Sequence, residues 1–96
     1  MIKLMRVDDR LIHGQVAATW TNTIGADCIL IAKDNMTPLE ITAAKISVPA
    51  GIKLVIKSVE DSIKAINSGV TDKYKLFIVV DSVTTAYRLM KGCEAV

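Results

Sequence analysis

Cys28-Ile29-Leu30-Ile31-Ala32-Lys33-Asp34-Asn35-Met36-Thr37-Pro38-Leu39-Glu40 changes character halfway along. It opens with an unbroken apolar run, the mark of a strand covered on both faces rather than one. Then Thr37 offers a hydroxyl for a helix N-cap, Pro38 suits the first helical position, and Glu40 stands where its carboxylate closes a capping box. The helix is expected to stop before Pro49, which pushes Val48 out of the α region.

The same alternation recurs on either side. Short β-rich runs lie at Ile2–Val7, Ile52–Ile56 and Leu76–Val80. Helical spacing follows each of them. Ile12, Val16, Trp20 and Ile24 form one stripe, with Gly25 as its stop. Val59, Ile63 and Ile66 form another after Ser58, and Gly69 is placed to end it in a left-handed conformation. A last stripe after Ser82 carries Val83, Ala86, Tyr87 and Met90, with Gly92 as its end. Four strand–helix units predict an α/β fold: an open, mainly parallel β-sheet with helices on both faces, a three-layer sandwich joined by right-handed crossovers. Ligands of such sheets sit at the carboxyl ends of the strands.

The composition is consistent with this. The chain has 96 residues, enough for one domain. A hydrophobic fraction of 51% with a net charge of +2 excludes disorder. Trp20, Tyr74, Phe77 and Tyr87 are the only aromatic residues, so the core is aliphatic. The longest apolar runs, Cys28–Ala32 and Leu76–Val80, fall far short of the ~18 residues a membrane span needs. Lys and Arg are scattered among acids, which argues against nucleic acid as a partner. Met1-Ile2-Lys3-Leu4 lacks the pattern of a secretory signal, and Cys28 and Cys93 form no C-x-x-C pair, so a cytosolic chain is expected. Cys28 is expected to pack as a small hydrophobe.

The loop after the first strand concentrates the chemistry: Arg6-Val7-Asp8-Asp9-Arg10-Leu11-Ile12-His13-Gly14-Gln15. It holds the chain's one histidine, two arginines and two carboxylates where a helix begins. Helix N-termini present unpaired N–H groups that suit a phosphate. An imidazole is a competent nucleophile near neutral pH. Arg10, three residues before His13, has a planar fork that fits phosphoryl oxygens. On the residues alone two readings stay open. His13 is a phosphoryl-accepting nucleophile, or it is a hydrogen-bonded junction residue with Arg6 or Arg10 paired to Asp8 or Asp9. Metal binding has little support, since a lone histidine has no partner at ligand spacing. Asp34 and Asp81 also follow strands, but Lys57-Ser58 after the third strand offers no acceptor aspartate, so these two acids are read as turn or capping residues. There is no G-x-G-x-x-G or Walker loop to suggest a nucleotide.

The run from Arg6 to Val16 resembles the active-site signature of the IIB component of the mannose/fructose/sorbose class of the bacterial sugar phosphotransferase system. Pro49-Ala50-Gly51-Ile52-Lys53-Leu54, the Ser58-Val59-Glu60-Asp61 helix start and Asn67-Ser68-Gly69 are similar to that family in layout. The resemblance implies that His13 accepts a phosphoryl group from a phosphohistidine of a IIA component, through Nδ1. It then passes the group to a sugar hydroxyl held by membrane IIC and IID components. Arg10 would be the phosphoryl clamp, Asp8 and Arg6 would fix the loop, and Gly14 and Gln15 would donate hydrogen bonds near the phosphate. No cofactor or metal is implied, and the location implied is cytoplasmic, peripheral to the membrane through IIC and IID.

The chain departs from the family at Lys33, where an asparagine is more usual. Lys33 either adds positive charge near the site or is simply exposed. Family members also continue beyond the fourth helix. Residues 1–96 are therefore expected to form a single IIB-like phosphoryl-carrier domain that lacks the family's C-terminal part, with an incomplete sheet. The competing reading is a shortened, non-catalytic IIB-like module that binds partners or forms a homo-oligomer through an exposed strand.

Overall fold

The computed structural model describes residues 2–7, 23–48, 51–69 and 73–92. Within them run β1 (Ile2–Val7), β2 (Cys28–Ala32), α1 (Pro38–Ser47), β3 (Lys53–Lys57), α2 (Val59–Asn67), β4 (Leu76–Val80) and α3 (Val83–Gly92). The strands form one parallel sheet in the order β1-β4-β2-β3. This is the open α/β architecture expected from the alternation of strand and helix.

Composition explains the order. The two strands apolar throughout, β2 and β4, occupy the centre of the described sheet, and every residue in them is at most 2% exposed. The strands flanking them carry the charges: Lys3 and Arg6 on β1, Lys53 and Lys57 on β3. A strand buried on both faces has no place for a cation; one at the flank lets long basic side chains reach water.

Alternate residues of the central strands feed two cores. Leu30, Ile78 and Val80 pack with Val59 and Ile66 of α2 and with Ala86 and Leu89 of α3. Ile29, Ile31, Phe77 and Val79 face the other way, toward Ala44 of α1 and Ile24. Chain direction accounts for this division. From β2 to β3 the chain advances across the sheet, whereas from β3 to β4 it turns back over β2. With right-handed crossovers, that reversal moves the connecting helix to the opposite face.

The helix ends follow their sequence signals. The Thr37 hydroxyl accepts from the Glu40 amide at 3.2 Å, and the Glu40 carboxylate accepts from the Thr37 amide at 3.1 Å. Val48 is extended, as expected before Pro49. Ser58 caps α2 through the Asp61 amide, and Gly69 ends it with φ +82°. Thr23 and Ile24 are helical and Gly25 has φ +70°, so the glycine stop also holds there. The preceding stripe residues Ile12, Val16 and Trp20 lie outside the described residues, as does Cys93. Cys28 is 1% exposed and its thiol is pushed above the usual value by burial, as suits a small hydrophobe.

Three details differ from the sequence expectation. The third strand is Lys53–Lys57 rather than Ile52–Ile56. Its bounds are set by pairing with β2, from Cys28 opposite Lys53 to Ala32 opposite Lys57, not by where apolar residues begin. In α3 the buried residues are Thr85, Ala86 and Leu89, while Val83, Tyr87 and Met90 are 74%, 61% and 53% exposed. The helix phase is fixed at its start: the Thr85 hydroxyl donates to Asp81 at 2.7 Å, and its amide donates to the Ser82 hydroxyl at 3.2 Å. Those bonds turn Thr85 inward and rotate the expected stripe toward solvent. Gly92, in turn, is the last residue of α3 and has no positive φ; a Cβ there would come within 2.6 Å of Ile63 Cδ1. Its role is the close approach of α3 to α2.

Candidate functional site

All four strands run in one direction and finish nearly level, with Val80 opposite both Val7 and Ala32, and Ala32 opposite Lys57. The segments that leave them therefore gather along one edge of the sheet. Arg6, half-buried and opposite Val79, is the last described basic residue before this edge on β1. Asp8, Arg10, His13, Gly14 and Gln15 lie outside the described residues, as does Asp9. The strand that delivers them is placed beside β4, so Val7 reaches the edge at the level where Asp81 begins its turn.

The other strand ends form a frame of polar contacts. After β2, the Lys33 amide donates to the Lys57 carbonyl at 3.1 Å, extending the pairing by one step. Its ammonium forms an ion pair with Glu40 in the first turn of α1. Lys33 is thus not simply exposed; it joins the β2 loop to the helix that follows. That bond, helped by the Thr37 amide, holds the Glu40 carboxyl below its usual range.

Asp34 ties together more distant parts. One carboxylate oxygen accepts from the Val59 amide at 3.0 Å, at the start of α2, and the other from Arg88 Nη1 at 3.1 Å, on α3. The amide bond first, and the guanidinium second, hold this carboxyl below its ordinary value. The anion favours the positive end of α2, where N–H groups lack partners within the helix. Asn35 follows with φ +60°, a conformation asparagine tolerates better than most residues. Asp81 accepts from the Thr85 hydroxyl in the first turn of α3, and the Thr85 amide donates to the Ser82 hydroxyl. The reading of these acids as turn or capping residues holds, Asp34 meeting a helix amide and Asp81 a side-chain hydroxyl, and among the described residues no three His, Cys, Asp or Glu side chains converge as metal ligands.

Arg88 is the residue sequence reading missed. It lies 54 positions from Asp34 on a helix judged only by its apolar spacing, and no local pattern connects them. What the described edge provides is a set of loops held by hydrogen bonds to helix starts.

Comparison with known proteins covers nearly the whole chain. Residues 2–96 match the family described as PTS system sorbose subfamily IIB component. A probable phosphotransferase enzyme IIB component of Streptococcus pyogenes serotype M6 is 45% identical over 93 residues, covering 95% of this chain and 57% of that protein. A sorbose-specific EIIB component of Lacticaseibacillus casei is 35% identical over 94 residues, covering 96% of this chain and 57% of its own. Among solved structures, the IIBSor domain of the sorbose permease from Klebsiella pneumoniae superimposes with a TM-score of 0.88 at 26% identity. That match spans 96% of this chain and 58% of the other. The chain thus spans less than three-fifths of the length of these relatives.

Proposed function

Because the chain belongs to the sorbose subfamily of IIB components of the phosphotransferase system, we propose that it relays a phosphoryl group from a IIA phosphohistidine to a sugar hydroxyl. His13 is the carrier. The observation that carries this reading is the run from Arg6 to Val16, which falls within the matched residues and leaves a strand at the ligand-binding edge of an open α/β sheet.

In the first step Nδ1 of His13 attacks the phosphorus of the donor phosphohistidine; the new N–P bond forms as the donor's breaks, and the donor imidazole leaves. In the second, a sugar hydroxyl oxygen attacks the same phosphorus. The bond to His13 breaks, an O–P bond forms, and the hydroxyl proton is released. Neither step changes an oxidation state. Such transfers depend on alignment and on neutralising charge over the phosphoryl oxygens. Arg10 supplies the neutralising fork, Gly14 and Gln15 supply donors, and Asp8 and Arg6 hold the loop. The partners are a cytoplasmic IIA donor and membrane IIC and IID components. This chain would meet them as a peripheral component; no described helix is long and apolar enough to cross a membrane.

The test is incubation with phosphorylated IIA, followed by intact-mass measurement. One acid-labile phosphoryl group should appear, and His13→Gln should abolish it. Labelling that survives the substitution refutes His13 as carrier, and a folded chain that takes no phosphate supports a binding module instead.

A further inference from the structure

The inner face of β3 is unusual. Lys53, Val55 and Lys57 point to the same side of the sheet as their pairing partners Cys28, Leu30 and Ala32. The partners are fully buried; the two lysines are not. Between this face and α2 lies a cavity of about 260 Å³. Leu30, Val55, Ala65 and Leu76 line its apolar part, and Lys53, Lys57, Lys73 and Tyr74 line its polar part. Lys53, Tyr74 and Leu76 sit where strands begin, so the cationic end of the cavity is opposite the edge at which Asp34 and Asp81 act.

Lys53, Lys57 and Lys73 all line the cavity, Lys53 and Lys73 beside Tyr74, and no described residue lining it is acidic. Lys53 Nζ donates to the Tyr74 hydroxyl at 2.9 Å, and Lys73 Nζ lies 5.2 Å from the centre of the same ring. The shared bond holds the Tyr74 phenol below its usual value and lifts Lys53 above its own, so the Lys53 amine enters the cavity charged. Like charges held this close repel one another, and an anion placed between them relieves that cost. The apolar floor, however, does nothing for a bare ion. At about 260 Å³ the space is below the ~300 Å³ at which pockets for drug-sized ligands begin.

We propose that this cavity binds a small organic anion, a carboxylate or phosphate head on a compact apolar body. The head lies between Lys53, Lys73 and the Tyr74 hydroxyl, and the body rests on Leu30, Val55 and Leu76. Among the described residues, the lining holds none of those proposed for phosphoryl transfer.

Backbone amide NMR shifts during titration test this directly. Benzoate and phenyl phosphate should each shift the amides of Val55, Ala65 and Leu76 in a saturable way. Inorganic phosphate and benzyl alcohol, each lacking one half of the ligand, should bind at least tenfold more weakly. Lys53→Gln combined with Lys73→Gln removes exposed side chains, so its spectrum should keep its dispersion while affinity for both anions falls at least tenfold. The absence of saturable shifts overturns the proposal and leaves the lysines as guards of a sheet edge. Equal binding by the doubly substituted protein, or by inorganic phosphate alone, overturns it as well.

Discussion

Arg88 and Asp34 meet across 54 positions, Nη1 to Oδ2 at 3.1 Å, and so connect α3 to the loop that leaves β2. The pair is half-exposed, so its own strength is modest. Asp34 also receives the Val59 amide. Asp34→Ala should therefore lower Tm more than Arg88→Ala, because it removes the α2 contact together with the ion pair. Thermal melts of the two variants beside wild type check this ordering, and a larger loss in Arg88→Ala would contradict it.

The same carboxylate makes stability depend on pH in a defined direction. Its folded pKa is depressed, first by the Val59 amide and then by Arg88. Its contribution is fully present above the unfolded value of about 3.9 and is lost as pH falls through the lower folded value. The Tm difference between wild type and Arg88→Ala should hold at neutral pH and shrink below about pH 4. A difference that stays constant through the acid range would show that Asp34 is not the group responsible.

The phase of α3 is checked by two substitutions. Leu89 is 0% exposed in the α2–α3 core, so Leu89→Ala should cost about 2–5 kcal/mol in denaturant unfolding. Tyr87 is 61% exposed, and Tyr87→Ala should stay within about 0.5 kcal/mol. The sequence stripe through Tyr87 and Met90 would give the reverse ranking.

Gly92 presses against Ile63, with a virtual Cβ at 2.6 to 3.2 Å from three of its side-chain atoms. Gly92→Ala should destabilise the protein by about 1–3 kcal/mol through overpacking. In an Ile63→Ala background the clash is gone and the same change should be neutral or stabilising. The double-mutant cycle measures the coupling, and additive effects would rule out this contact as the cause.

Removing the α1 cap by Thr37→Ala should cost about 0.5–2 kcal/mol, since it deprives the Glu40 amide of its acceptor. For catalysis, Arg10→Ala should slow onward phosphoryl transfer while the melting transition persists. A lost transition would instead make Arg10 part of the fold.

How much of this was legible in sequence differs from element to element, for physical reasons. Thr37, Pro38 and Glu40 specify a helix start by contacts within one turn, so α1 could be placed to the residue. The unbroken apolar runs identified the two central strands because burial on both faces admits nothing else. The third strand slipped by one residue because its bounds come from pairing with β2. The inward face of α3 was misread because hydroxyl bonds at Asp81 and Ser82, rather than hydrophobicity, set its rotation. At the strand-end edge, Asp34 and Asp81 were legible as turn or capping residues. Lys33 and Arg88 were not, since their partners Glu40 and Asp34 are brought to them only by the folded chain.

The strand order also constrains how the molecule can assemble. β4 emerges last of the four, yet it lies between β1 and β2. Until Leu76–Val80 arrives, β1 has no described strand to pair with, and β2 presents one bare apolar edge. The β2–β3 pair can form early across a short connection, but joining β1 to it requires closure over some seventy residues, a non-local step of the kind that slows folding. A nascent chain halted before β4 would hold a half-sheet with an open, sticky margin, so the described sheet should close in one concerted event gated by β4.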